Sequence, residues 1–295
     1  MKKQQINTDV INTDAVNTVA MAEKSAEEIE KAEQKSEQQK KQVKRRAYLS
    51  VLLALLALVA LTAATVAWFS IADKTRVQTM GLDIIADVEL RMDLDAHDTI
   101  EQYVKTLSFD SIAARIQQEK GFSMESTPLE PVTTNDCKTF SYEDGTIVES
   151  TSGAYLEFTL HFMAENDMIV HLTSANSSDT AADGTAVSSA NAGLPQAMRI
   201  SFETDGMTYV YDPGLGDGSS TGGTIRTFGL PQASAMNLND TNAMFSLKKG
   251  EDKAVLVHIW LEGTDPACTD DLKAADYSIR LRFSGTDMDG QPFSQ

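Results

Sequence analysis

Hydrophobic and polar positions alternate along much of this chain, and the period-two rows predict strands. Leu82, Ile84, Ala86, Val88, Leu90 and Met92 alternate with Asp83, Asp87, Glu89 and Arg91, the pattern of a half-buried strand. Leu156, Phe158, Leu160 and Phe162 alternate with Glu157, Thr159 and His161; Val170 and Leu172 follow after the polar break Glu165-Asn166-Asp167. Met198, Ile200 and Phe202 form another inward row, and Met207–Tyr211 is placed to return beside it across Asp205-Gly206, a favoured turn pair. In Lys253–Glu262, Val255, Val257, Ile259 and Leu261 alternate with Leu256, His258 and Trp260, so both faces are expected to be covered. Tyr277, Ile279, Leu281 and Phe283 make the last inward row. Residues 99–120 switch to helical spacing, with Ile100, Tyr103, Val104, Leu107, Ile112 and Ile116, closed by Gly121. Residues 123–138, 174–193 and 212–224 read as loops. The fold these rows predict over residues 70–295 is mainly β: an antiparallel, jelly-roll-like β-sandwich with a small helical insertion at about 99–120.

The first part of the chain has another character. Residues 1–19 hold a near-repeat, INTDV-INTDA-VNTVA, whose Asn and Asp favour turns over helix, and we read it as disordered. From Ala20 to Arg46 the good helix formers Ala, Glu, Lys and Gln dominate, and the tail 1–46 is expected to end as a charged, solvated helix. No charge then occurs between Arg46 and Asp73. Ala47–Ala67 as helix, at ~1.5 Å per residue, matches a hydrocarbon core of ~30 Å. Such a run has no polar face to show water, which argues against a buried core helix. Lys35, Lys40, Lys41, Lys44, Arg45 and Arg46 crowd its N-terminal flank, so residue 1 is predicted to be cytoplasmic and everything after Trp68 exported. Small residues, Ala63, Ala64, Thr65 and Ala67, precede Trp68-Phe69 as they would before a signal cleavage site. The stretch 47–69 is therefore either a cleaved signal peptide or a retained transmembrane anchor, and its expected partners are the membrane and a signal peptidase.

Charge narrows the function. The 295 residues carry a net −18, yet residues 1–46 are net +2, so the exported part is strongly acidic. Such a surface repels nucleic acid and excludes it as a partner. No HExxH, GxSxG, phosphate-binding glycine loop or Cys/His metal spacing occurs, so no enzyme activity and no cofactor is expected. Cys137 and Cys268, both on the exported side, form either one disulfide or two buried thiols. A hairpin centred on Asn166 would bring His161 opposite His171, a weak candidate for a shared metal ion. Glu262, Asp265, Asp270 and Asp271 cluster before the last row and read as a solvated acidic loop.

Short motifs add a resemblance. Ala67-Trp68-Phe69-Ser70, followed by Met80-Gly81-Leu82-Asp83-Ile84, resembles the export region of the TasA/camelysin family of Gram-positive bacteria. Val255–Gly285 and Ala197–Glu203 are similar to strands of relatives in that group. The resemblance implies export to the cell surface or extracellular matrix, cleavage near Ala64, Ala67, Trp68 and Phe69 by a dedicated signal peptidase, and jelly-roll subunits that self-associate into biofilm fibres. It implies further that the freed segment Trp68–Met80 adds as a donor strand to a neighbouring copy, with Phe69, Ile71 and Val77 filling pockets. A membrane-anchored ectodomain that binds a partner and a secreted metal-dependent peptidase of camelysin type are the alternatives. This sequence carries no recognisable zinc-and-base constellation for the second of these.

Overall fold

A computed structural model of the protein describes residues 44, 46, 49–54, 78–174, 184–230, 242–272 and 275–293. The chain divides into two compact units, Met1–Val66 and Ala67–Gln295. The predicted cleavage residues Ala64, Ala67, Trp68 and Phe69, the donor residues Ile71 and Val77, and the 1–19 repeat expected to be disordered all lie outside the described residues. In the first unit the described residues are helical, and Ser50 Oγ donates to the carbonyl of Arg46 at 3.0 Å. Leu49, Val51, Leu52 and Leu53 are all exposed. Among the described residues no helix is long and apolar enough to cross a membrane.

The second unit is mainly β. Its elements begin with β1 (Gln78–Ala86), β2 (Leu90–Asp93), β3 (Thr106–Leu107), α1 (Phe109–Lys120), β4 (Pro131–Val132), β5 (Phe140–Ser141) and β6 (Ile147–Val148). There follow β7 (Leu156–Ala164), β8 (Met168–Leu172), β9 (Ala186–Ser189), α2 (Leu194–Ala197), β10 (Met198–Thr204) and β11 (Met207–Tyr211). The chain continues through β12 (Ser219–Gly222), β13 (Ile225–Phe228), β14 (Ala243–Leu247), β15 (Lys253–Glu262) and β16 (Asp276–Thr286). One sheet has the order β14-β8-β16-β1-β3, with β9 also on β16. The other runs β12-β13-β11-β10-β15-β7-β2, with β4 on β15, and β5–β6 form a separate ribbon.

The inward rows form as the alternation predicts, because each strand buries one face. Leu82, Ile84, Leu160, Phe162, Ile200, Phe202, Val255, Val257, Ile259, Leu281 and Phe283 belong to one buried core. Phe283 of the first sheet meets Phe162 and Phe202 of the second at ring-centre distances of 5.1 and 5.5 Å, so the two sheets share that core. A smaller cluster covers the opposite face of β15, where Phe140, Val148 and Tyr155 pack with Val210 and Trp260. This is why Lys253–Glu262 is apolar on both sides. The β10–β11 hairpin turns at Asp205-Gly206, which take φ 52° and 74°, both left-handed.

Three expectations are corrected. The sheets are mixed rather than antiparallel: β1 lies parallel to β16, β13 to β11 and β4 to β15. Parallel neighbours need long connections, and the first and last strands have nearly the whole domain between them. The row 82–92 is not one strand. It breaks at Asp87-Val88-Glu89, where Glu89 takes φ 63°, and passes from one sheet to the other. Likewise β7 and β8 are not a hairpin but join different sheets through Glu165-Asn166-Asp167. The two corners stack: Glu165 N–H donates to the Glu89 carbonyl at 2.9 Å, and Asn166 Nδ2 to Glu89 Oε2 at 2.7 Å. The insertion holds one helix, α1, with a single 3-10 turn at Ile100–Gln102 and β3 before it. Ile112 and Ile116 are its buried face, and Gly121 at φ 84° ends it.

Candidate functional site

β1 has a partly open edge among the described residues. It pairs with β16 from Gln78 opposite Asp276 to Ala86 opposite Phe283, with a register shift between Thr79 and Gly81, but with β3 only at Ile84 and Ile85. Among the described residues, Gln78–Asp83 therefore has no strand on its second side. An edge of this kind presents unpaired N–H and C=O groups. Asp83, opposite Arg280, is its exposed charged position. Leu82 and Ile84 are fully buried, so the edge offers backbone rather than a gap in the core.

The predicted histidine pair does not meet, because β7 and β8 belong to different sheets. His161 Nδ1 is 2.9 Å from Asp252 Oδ2, and that carboxylate also accepts the Tyr103 hydroxyl at 2.7 Å. His171 is buried elsewhere, with Nε2 3.1 Å from Thr286 Oγ1. The Asp252 carboxylate thus ties the insertion, through Tyr103, to β7. Burial, with Asp252 nearby, pushes the Tyr103 phenol up to about 12. Among the described residues no group of three or more His, Cys, Asp or Glu is placed to hold a metal ion. A groove of about 590 Å³ opens beside Asp252, lined in part by Asp167, Asp205, Lys248, Glu251 and Lys253. Lys253 is already paired with Asp205 at 2.5 Å, and both signs of charge are present.

The disulfide alternative is not realised. Cys137 and Cys268 are free and buried, and they belong to the two different core clusters. Burial pushes their thiols up to about 11 and about 12. In the acidic loop, Asp265 is taken up by Arg199 at 2.5 Å and Glu262 by the Trp260 indole at 2.9 Å, so these two carboxylates are structural.

Sequence reasoning missed one polar row. Ser201 on β10, His258 on β15 and Glu157 on β7 stand directly opposite one another across three strands. His258 Nδ1 is 3.4 Å from Ser201 Oγ, and its Nε2 is 3.1 Å from Glu157 Oε2. The hydrogen bond from His258, together with that from Lys120, outweighs burial and holds Glu157 down to about 2. Hydroxyl, imidazole and carboxylate in line can activate a nucleophile. Here Ser201 is 0% and His258 1% exposed, and His258 lies under Phe140 and Tyr155, so both groups are closed off from solvent. The row pins α1, through Lys120, to the sheet. Its members sit at polar positions of three separate rows, and nothing in the sequence says that these rows are neighbours.

Comparison with known proteins adds no relative: no family model matches the chain, and neither a curated protein nor a solved structure matches it significantly.

Proposed function

We propose that this chain is an exported, non-enzymatic cell-surface or biofilm-matrix structural protein that assembles by strand addition. In this reading its two sheets are a jelly-roll-like sandwich, and the segment from Trp68 onward is freed when the apolar stretch is cut. The observation that carries the reading is the edge of β1. The donor segment Trp68–Met80 runs into β1, its last three residues being the first of that strand, and among the described residues Gln78–Asp83 have a partner strand on one side only. Main-chain hydrogen bonds supply the affinity of an added strand, and Phe69, Ile71 and Val77 supply its specificity. Before cleavage the same segment is held at the membrane, which keeps assembly off.

The test is the intact mass and N-terminal sequence of the protein recovered outside the cells, followed by electron microscopy of that material. The reading expects a start at or near Trp68 and filaments that shorten when a peptide of residues 68–80 is added. Recovery of full-length chain alone, in the membrane fraction, ends it. That result supports a second reading, a membrane-anchored ectodomain that binds a partner. The exposed apolar side chains of Leu49, Val51, Leu52 and Leu53, next to Lys44 and Arg46, favour it.

A further inference from the structure

Of the seven prolines in the chain, two follow aspartate, in Asp212-Pro213 and Asp265-Pro266. Asp–Pro is the peptide link most easily broken by acid, since the aspartate carboxylate can attack its own carbonyl carbon and the tertiary proline nitrogen leaves readily. Both of these aspartates are held by one side chain. Arg199 Nη2 is 2.5 Å from Asp265 Oδ2 and 3.2 Å from Asp212 Oδ2. The remaining oxygens are occupied in the same way at both sites. Asp212 Oδ1 accepts the N–H of Gly214 at 2.8 Å, and Asp265 Oδ1 accepts that of Ala267 at 2.8 Å. Arg199 is itself fixed, because Nη1 donates to the carbonyls of Gln196 at 2.5 Å and Met198 at 2.8 Å. Its side chain and that of Asp212 are each 14% exposed, and that of Asp265 is 17% exposed. Neither carboxylate is free to swing onto its own carbonyl.

We propose that Arg199 guards two self-cleaving peptide bonds, and that Asp212–Pro213 and Asp265–Pro266 are acid-triggered processing sites of this chain. In the open state an oxygen of the protonated carboxyl bonds to the backbone carbonyl carbon of the same aspartate. The C–N bond to proline breaks, and the proton of that carboxyl passes to the proline nitrogen. The cyclic anhydride left behind is opened by one water, which gives a C-terminal aspartate and a new N-terminal proline. Water is the only co-reactant. Among the described residues, the titratable groups around the clamp are Tyr211, next to Asp212, and Glu262 and Cys268, near Asp265. Burial raises the Asp212 carboxyl above its ordinary range despite Arg199, so a falling pH loosens this side of the clamp. The two cuts differ in consequence. One separates β11 from β12, whereas the other severs the connection to β16, the strand on which β1, β8 and β9 all pair.

Incubation of the full chain in mildly acidic buffer, with intact mass and N-terminal sequencing over time, tests the proposal. Arg199→Gln is expected to yield fragments beginning at Pro213 and Pro266 roughly tenfold or more faster than the native chain, as breaking a buried pair opens it locally. Arg199→Lys falls between the two. Arg115→Gln removes an ion pair with Asp95 and Glu119 elsewhere and is expected to match the native chain. Should Arg199→Gln fail to fold by circular dichroism, native chain is compared with and without urea at the same pH. Asp212→Asn then abolishes only the cut at Pro213. Equal rates for the native chain and Arg199→Gln, equal rates for Arg115→Gln and Arg199→Gln, or urea-unfolded chain cut at neither bond would each overturn the proposal.

Discussion

Glu157 accepts from His258 on one oxygen and from Lys120 on the other. A carboxylate held at about 2 in the folded chain, against an ordinary 4.5, stabilises the fold fully above the higher value. That stabilisation is lost as pH falls through the lower one. Urea midpoints measured from neutral pH down to acid are therefore expected to fall steeply between these values. In Glu157→Gln the neutral midpoint is lower and the acid slope shallower. An unchanged slope would mean that the carboxylate is not ionised in this row. Alternation marks Glu157, Ser201 and His258 as facing away from the main core, and so much was legible. That the His258 face of β15 is covered was legible too, but not what covers it: Phe140 and Tyr155, stacked at 4.1 Å, come from a different stretch and pack against the imidazole.

Strand identity was written in the alternation, but strand neighbours were not. The inward rows of β7, β10, β15 and β16 and the Asp205-Gly206 turn are where the sequence puts them, since burial of one face and left-handed φ both leave residue signatures. A hairpin and a corner between sheets bury the same side chains. Leu160 and Phe162 are inward whether Val170 and Leu172 lie beside them or across the core, so the Glu165–Asp167 link could not be read in advance. β12 escaped notice for the opposite reason: Ser219–Gly222 is exposed throughout and has no apolar row to show. The central ring contacts make the energetic prediction at this scale. Phe283→Ala, which empties the space between Phe162 and Phe202, is expected to cost about 3–5 kcal/mol in urea unfolding. By contrast Ile147→Ala, on a side chain 57% exposed, is expected to stay within about 0.5 kcal/mol.

Over the whole domain, the open edge of β1 is where, in the reading proposed above, another chain makes backbone contacts. The parallel pairing of β1 with β16 also decides how the domain carries load. The start of β1 and the end of β16 lie at opposite ends of one hydrogen-bonded ladder. A subunit tethered through its N-terminal side and pulled at its C-terminal side therefore loads that ladder in shear, so its bonds must yield together. Tension applied between Gln78 and Asp276, which lie side by side, instead peels the same strands apart one bond at a time. Single-molecule pulling through the two pairs of handles is expected to give a clearly higher rupture force in the first geometry. The β1–β16 ladder thus resists stretching along its length more strongly than opening from the end where both strands begin.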